Sequence, residues 1–362
     1  MANQAMSKYW NQRTQRLQPY VPGEQPRDQR YIKLNTNENP APPSAAVLKA
    51  MHAAVDDGLN LYPDPECRRL KQSIADYYSL PVSSVFVGNG SDEVLAHIFA
   101  GLFDQDKPLV CPDISYSFYP VYARLYDIKL QKIPLGQNFE LDLEAYPIEN
   151  GGVIFANPNA PTSLAIGVDK IQAFVERNKD SVVVVDEAYV DFGAQSCARL
   201  VNRYPNLLVV QTVSKSRSLA GLRVGFALGD PQLIDGLERI KNSFNSYPLD
   251  KIALAGAQAA FEDVQGYETA RQEVIRVRDQ ACISLQRLGF EVLESSANFL
   301  FARPLFLTAE QVYLGLKEAG VLVRYFNAPR ISDYLRITVG TKQEMAVLVE
   351  KLIQLKGGVT GP

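Results

Sequence analysis

The sequence predicts an α/β protein, with one large unit on a mostly parallel sheet flanked by helices and a smaller α+β unit after it. Two features point to this. Between about residues 66 and 250, short apolar runs alternate with stretches of helical pattern. Those runs are apolar on consecutive rather than alternate residues. Strands buried on both faces read this way, as in a parallel sheet whose crossover helices cover each side.

In chain order, the first forty residues are rich in Pro, Gln and Asn and are expected to form an irregular arm. Residues 44–56 read as a helix, with Ser44 as its cap and Val47, Leu48, Met51 and Val55 on one face. The apolar runs are Val85-Phe86-Val87, Leu109-Val110, Val153-Ile154-Phe155, Val182 to Val185 and Leu207 to Val210. After about 250 the pattern changes. A helical stretch from near Leu249 to Leu288 is expected to break around Gly266. Short strand-like segments follow at 291–293, 299–301, 322–324 and 335–339, with a helix near 308–319. The expected division is an N-terminal arm (1–45) joining the small domain, a large domain (46–265) and a small C-terminal α+β domain (266–362).

A chain of 362 residues can bury a sizeable core without disulfide or metal staples. Its net charge of −3 favours neither nucleic acid nor an anionic membrane as partner. Cys67, Cys111, Cys197 and Cys282 are far apart and form no CxxC pair, so free thiols in a reducing compartment are expected. With His52 and His97 as the only histidines, a metal site or a histidine-based hydrolase is poorly supported. The segment MANQAMSKYWNQR has no long apolar run, and no later segment has the apolar length to span a bilayer. A cytoplasmic, soluble protein is expected.

Open parallel sheets bind ligands at the carboxyl ends of their strands, so the residues after each run matter most. After Val87 comes Gly88-Asn89-Gly90-Ser91-Asp92-Glu93, opening a helix. Glycine lets a backbone approach an anion closely, and a helix N-terminus favours phosphate. An ordinary strand-to-helix turn with a Ser or Asp cap reads equally well. After Val153-Ile154-Phe155 comes Asn157-Pro158-Asn159-Ala160-Pro161-Thr162. After four valines come Asp186-Glu187-Ala188-Tyr189. A carboxylate there is poorly solvated and calls for a cation; a helix cap or a structural ion pair is the other reading. After Leu207 to Val210 comes a segment with Ser214-Lys215, Arg217, Arg223 and Gly225. Arg217 is expected to face solvent.

Taken together, one sheet edge would present a phosphate cradle, an Asn loop, an Asp, a Tyr, and a Lys with Ser and Arg. Pyridoxal phosphate needs that set. A neutral lysine amine attacks its aldehyde. A carboxylate keeps its pyridine nitrogen protonated, so that the ring accepts electrons. A phenol bonds its ring oxygen, and an aromatic face such as Tyr116 stacks on the ring.

Over about Tyr20 to Glu344, these residues resemble the fold-type-I aminotransferases, and within them the histidinol-phosphate aminotransferase family. The shared marks are Pro19 to Gly23, Leu34-Asn35-Thr36-Asn37-Glu38-Asn39-Pro40, Tyr62-Pro63-Asp64, Gly90 to Glu93, Asp186 to Tyr189, Ser214-Lys215 through Gly225, and Leu335 to Thr341. The resemblance implies an aspartate-aminotransferase-like fold with a seven-stranded-type sheet and a pyridoxal-phosphate-binding large domain. It also implies roles. Lys215 is the Schiff-base lysine, Asp186 pairs with the pyridinium, Tyr189 bonds the ring oxygen and Tyr116 stacks on the ring. Gly90, Ser91, Asp92, Ser214 and Arg223 hold the cofactor phosphate. Tyr62 reaches that phosphate from the other subunit of a homodimer with shared active sites. Arg336 takes the α-carboxylate of glutamate or 2-oxoglutarate, while Arg324 and Tyr20 hold the phosphate of an amino-alcohol phosphate substrate. The family pattern Asn-Asn-Pro-Thr-Gly is here Asn159-Ala160-Pro161-Thr162-Ser163. Ala160 cannot bond the ring oxygen, which leaves that contact to Asn159, Asn157 or Tyr189.

The implied reaction turns L-histidinol phosphate and 2-oxoglutarate into imidazole acetol phosphate and glutamate, a step of histidine biosynthesis. The same scaffold also fits an aromatic or broad-specificity aminotransferase, a threonine-phosphate decarboxylase, or a non-catalytic ligand-binding protein. Arg324 and Arg336 read on their own would suit structural ion pairs, and Tyr20 and Tyr62 ordinary packing.

Overall fold

In the computed structural model, which describes residues 7–26, 28–103 and 106–359, the consecutive apolar runs become strands of one sheet, all but the first of them inner ones. Residues 1–6 and Arg27 of the expected arm and residues 360–362 of the expected small domain lie outside the described residues. The strands are β1 Ile32–Lys33, β2 Val85–Gly88, β3 Leu109–Pro112, β4 Leu130–Ile133, β5 Val153–Ala156, β6 Val183–Asp186, β7 Leu207–Thr212, β8 Gly225–Gly229, β9 Phe290–Val292, β10 Phe299–Pro304, β11 Val321–Leu322, β12 Arg324–Tyr325 and β13 Leu335–Thr338. The large sheet has seven strands in the order β2-β8-β7-β6-β5-β3-β4. β3 through β7 pair in parallel, and only β8 opposes its neighbours.

Alternate residues of the inner strands enter different cores. Val183, Val185, Leu207 and Val209 pack with Ile74, Ile171, Phe174 and Ala257 on one face. Ile154, Val184, Leu208 and Val210 pack with Leu95, Ile98, Phe99 and Leu237 on the other. Each fully buried aliphatic or aromatic side chain contributes roughly 1.5–3 kcal/mol, so both helical layers are held firmly to the sheet.

β4 and β8 were not read from the sequence. β4 lies at the sheet edge with Gln131 and Lys132 exposed, so it shows no consecutive apolar run. β8 is bounded by Gly225 and Gly229 and reads as the tail of the Lys215 segment. The first predicted helix forms over Ala45–Ala53, with Ser44 accepting the Val47 N–H. Val47 is buried, whereas Leu48 and Val55 are exposed, and Val55 lies past the helix end. The break expected at Gly266 falls at Asp263 instead. Asp263 ends helix Lys251–Glu262 and caps helix Val264–Leu288 by accepting the Gly266 N–H at 3.0 Å.

The second core lies against an antiparallel sheet, β12-β13-β10-β9. Leu300, Leu335 and Ile337 from this sheet meet Val274, Val312, Leu316 and Leu348 from the helices Val264–Leu288, Ala309–Glu318 and Lys342–Val359. β1 pairs in parallel with β11, and Leu34 is buried in this same core, which ties residues 32–34 to it.

Arg217 does not face solvent. Its guanidinium carbon lies 3.9 Å from the ring centroid of Phe261, 4.2 Å from Tyr267 and 4.7 Å from Tyr77, and Nη1 donates to the Ala260 carbonyl at 2.5 Å. Ring faces attract a cation strongly once water is excluded, and this anchors the segment that carries Lys215. Arg217→Ala is expected to cost about 2–4 kcal/mol of stability through lost packing and a lost buried hydrogen bond. The urea midpoint measures this, and an unchanged midpoint would mean that the cage is not a stabilising element.

Candidate active site

The carboxyl ends of β5, β6 and β7 open on a cavity of about 710 Å³. Of the residues singled out from the sequence, Tyr20, Ser91, Asp92, Tyr116, Asp186, Tyr189, Ser214, Lys215, Arg223, Arg324 and Arg336 line it. Gly90 stands just behind the wall, while Asn159 and Tyr62 are not part of it.

Strand alternation separates the two carboxylates that end β6. Asp186 faces the cavity, and Glu187 does not. Glu187 is held by the Cys197 N–H at 2.6 Å, the Ser196 hydroxyl at 2.5 Å and the Gln211 amide at 2.8 Å. Burial nonetheless pushes its carboxyl up to about 7. Asp186 is buried too, and burial raises it to about 6, although the Tyr119 hydroxyl donates to it at 2.8 Å and the Ala188 N–H at 3.2 Å. No cation opposes it among the described residues.

The anion cradle forms where helix Gly90–Gly101 meets the segment after β7. Gly90 has φ +81°, and a Cβ there would stand 2.6 Å from Arg223 Nη2. A Cβ on Gly225 would stand 2.2 Å from the Ser91 nitrogen. Only glycine permits this approach of backbone to backbone. Arg223, itself at φ +54°, pairs with Asp92 at 3.1 Å and reaches Ser214 Oγ at 3.5 Å. Tyr116 donates to the other Asp92 oxygen at 2.8 Å, which fixes its ring over the cavity wall.

Lys215 Nζ reaches the Thr36 carbonyl at 3.3 Å and lies 5.8 Å from the Tyr189 ring centroid. Asn37 Nδ2 donates to the Tyr189 hydroxyl at 3.0 Å, and Asn39 Nδ2 donates to the Lys215 carbonyl at 2.9 Å. Sequence reasoning assigned no role to Thr36, Asn37, Asn39 or Tyr119. The first three lie in the quoted 34–40 segment, which was the available signal. Tyr119 carried none.

On the opposite wall, Arg336 is half-buried and donates to the Asn35 carbonyl at 2.8 Å, while its buried Nε has no partner among the described residues. Burial lowers its guanidinium below the ordinary value. Arg324 lies directly opposite it in the β12–β13 ladder, and neither arginine is in an ion pair among the described residues. The nearby Glu24 is engaged by Lys317 and Tyr313. The ion-pair alternative for the two arginines therefore lacks its carboxylates. Tyr20 stacks near Phe118 at 4.7 Å.

Two expected residues are placed otherwise. Asn159 spends its amide on its own loop and the one after β3: Oδ1 accepts from Ser115, and Nδ2 donates to the Ile114 carbonyl and to Thr162, all at 2.8–3.0 Å. It has no amide hydrogen left to donate to a ligand, and Ala160 presents only a methyl to the cavity. Tyr62 is 82% exposed, stacks on Tyr247 at 4.6 Å and lines a separate surface depression. Among the described residues, no cluster could hold a metal ion, and no helix is long and apolar enough to cross a membrane.

Residues 29–352 match the family described as aminotransferase class I and II, and the chain belongs to that family. It is 57% identical to histidinol-phosphate aminotransferase 1 of Hydrogenovibrio crunogenus over 97% of this chain and 98% of that protein. It is 52% identical to the histidinol-phosphate aminotransferase of Clostridium acetobutylicum over 96% and 99%. Among solved structures, the histidinol-phosphate aminotransferase of Sinorhizobium meliloti in complex with pyridoxal-5'-phosphate superposes with TM-score 0.87 at 22% identity, over 98% of this chain and all of that one. A Thermus thermophilus aspartate aminotransferase superposes with TM-score 0.81 at 19% identity, over 96% of this chain and 100% of that one. The fold is that of the fold-type-I aminotransferases.

The raised Asp186 carboxyl gives a pH-dependent prediction for the cofactor-free protein. The folded state binds the proton more tightly than the unfolded chain, so the aspartate destabilises the fold as pH rises from about 4 through 6. Asp186→Asn is expected to stabilise the cofactor-free protein by about 2 kcal/mol above pH 6, with the difference vanishing towards pH 4. Thermal unfolding at both pH values measures it, and a variant no more stable than the parent at pH 8 would contradict the burial argument.

Proposed function

We propose that this chain transfers the amino group of L-histidinol phosphate to 2-oxoglutarate, giving imidazole acetol phosphate and glutamate, with pyridoxal phosphate as cofactor. The observation that carries this reading is identity of 52–57%, along nearly the whole chain, with histidinol-phosphate aminotransferases. The cavity supports it, since a lysine, a buried carboxylate and two arginines outside any ion pair among the described residues all line it.

When bound, the cofactor supplies an electron-accepting ring that stabilises negative charge at the substrate Cα. The residues present fit it. Asp186, buried without a cation, suits a protonated pyridine nitrogen. The Gly90 and Gly225 approaches leave backbone amides, Ser91, Ser214 and Arg223 facing one small volume suited to a phosphate. Tyr116 offers its ring face, and Tyr189 its hydroxyl. Lys215 holds the cofactor through its aldehyde carbon and, once released, moves a proton between the substrate Cα and cofactor C4′. Arg336 takes the α-carboxylate of glutamate or 2-oxoglutarate, where its planar fork suits two-point binding. Arg324 and Tyr20 hold the phosphate of the amino-alcohol substrate. Asn159 is omitted because its amide is spent.

The working unit is a homodimer with shared sites. The exposed Tyr62–Tyr247 stack, lying outside this chain's own cavity, supports a role for Tyr62 at the partner's site. The large domain is placed at 46–265 and the small one at 266–362, with 1–45 joining the small one; the β1–β11 pairing and buried Leu34 support that attachment. The enzyme works on small soluble substrates in the cytoplasm, with no nucleic-acid or membrane partner.

Two measurements test these statements. Adding L-histidinol phosphate to the cofactor-loaded protein should bleach its visible band, and 2-oxoglutarate should restore it. A band that ignores histidinol phosphate but bleaches with phenylalanine would move the substrate, and no band at all would sink the reading. Mixing and re-associating Lys215→Ala with Tyr62→Ala chains should regain activity that neither variant shows alone, because half-mixed dimers carry one intact site. No regain would contradict shared sites.

A further inference from the structure

Segment 34–40 lies against the cavity, yet the reaction as described uses none of its side chains. Asn37 is its most constrained member. It is 1% exposed and sits at φ +58°. Its N–H donates to Thr338 Oγ1 at 3.0 Å, its Oδ1 accepts the Thr338 hydroxyl at 2.9 Å, and its carbonyl accepts the Asn298 amide at 3.0 Å. These bonds decide which way the amide faces. With Oδ1 taken by Thr338, Nδ2 is left to donate, and it donates to the Tyr189 hydroxyl at 3.0 Å.

The consequence for Tyr189 follows from counting hydrogens. An amide nitrogen cannot accept, so the Tyr189 oxygen is the acceptor in this pair. Its own hydrogen is then left for another acceptor, and Tyr189 donates to no other group among the described residues. Tyr189 lines the cavity, where the neighbouring 157–163 loop offers little help. Asn157 is engaged with the Ile166 backbone, Asn159 with Ser115, Ile114 and Thr162, and Ala160 has no donor. Hydrogen bonds in series strengthen one another, so a donor to the Tyr189 oxygen makes its hydrogen the better donor.

We propose that Asn37 is a positioning residue: held by Thr338, it turns the Tyr189 hydroxyl hydrogen into the cavity, so that Tyr189 serves as the donor to the cofactor ring oxygen that Ala160 cannot be. This rests on the pyridoxal-phosphate reading above. It assigns the 34–40 segment a part in tuning the cofactor as well as in bracing the Lys215 loop.

The test is the pH midpoint of the visible absorbance change of the pyridoxal-phosphate-loaded protein without substrate. A bond donated to the ring oxygen favours its deprotonated form, so a weaker donor raises the midpoint. Asn37→Gly keeps the left-handed backbone without strain, adds no charge and removes the amide. It is expected to raise the midpoint by about half to one pH unit, the size of one hydrogen bond's contribution. In a Tyr189→Phe background the same change should move the midpoint by less than a quarter of that, because the relay is already cut. An unchanged midpoint in the first case, or an equal shift in both, overturns the proposal. If Asn37→Gly does not take up cofactor, Thr338→Val decides, since it keeps Asn37 but frees its amide to turn. A smaller upward shift supports the proposal and none overturns it. A parent protein that shows no visible band with pyridoxal phosphate fails the cofactor reading itself, whereas a normal band indifferent to Asn37 fails only this inference.

Discussion

Asp186 ends a strand whose every residue is buried, and the described residues place no cation against it. A buried carboxylate without a cation costs several kcal/mol, and a fold tolerates it where a bound positive group offsets the cost. The rest of the site is arranged around that position. β5 and β7 flank β6 in parallel, so the Asn157–Ser163 loop and the Lys215 segment leave the sheet at the same edge as Asp186. β8 runs back beside β7 and brings Gly225 against the Ser91 backbone, which closes the anion cradle at one end of the same cavity. The separation of Asp186 from the Ser91–Gly225 approach is thereby set by the strand register, ahead of any side-chain choice.

The other wall belongs to the second core. Arg336 and Thr338 lie on β13, Arg324 on β12, and Asn35, Thr36 and Asn37 on the segment that follows β1, which pairs with β11. The cavity therefore exists only where the two cores meet. Arg330 fastens them at the rim, reaching Asp113 at 3.1 Å and the carbonyls of Leu135 and Gly136. Asp186, Ser214 and Lys215 come from the large sheet and the segment after it, and Arg324 and Arg336 from the smaller one. The 34–40 segment crosses that line, since it is tied to the second core through Thr338 and Asn298 and touches both Lys215 and Tyr189.

Much of this was legible in the sequence because burial on both faces leaves a plain mark. The Val182–Val185 run announced a central strand, and the polar residues after each run announced the site. The places of Asp186, Lys215, Ser91 and Arg223 after those runs could be read directly, while their expected roles came from the family resemblance. β4 could not, because its exposed Gln131 and Lys132 break the apolar run, and β8 could not, because it opens on Gly225 against the Ser91 backbone and ends on Gly229 against Leu208. Arg217 was misread since nothing local shows the three rings that surround it, all of which lie more than forty residues away in the chain. Asn159 looked available, but its partners Ser115 and Ile114 come from another loop. The same holds for Asn37, whose partner Tyr189 is 152 residues distant. Hydrogen-bond partners set by tertiary contact leave no periodic trace.

The most direct test of the account is to find where pyridoxal phosphate is attached. The loaded protein would be reduced with borohydride, digested, and searched by mass spectrometry for a pyridoxyl-phosphate adduct. The account predicts one adduct, on Lys215, abolished by Lys215→Ala and greatly diminished by Asp186→Ala. An adduct on any other lysine, or none in a folded protein, would contradict it.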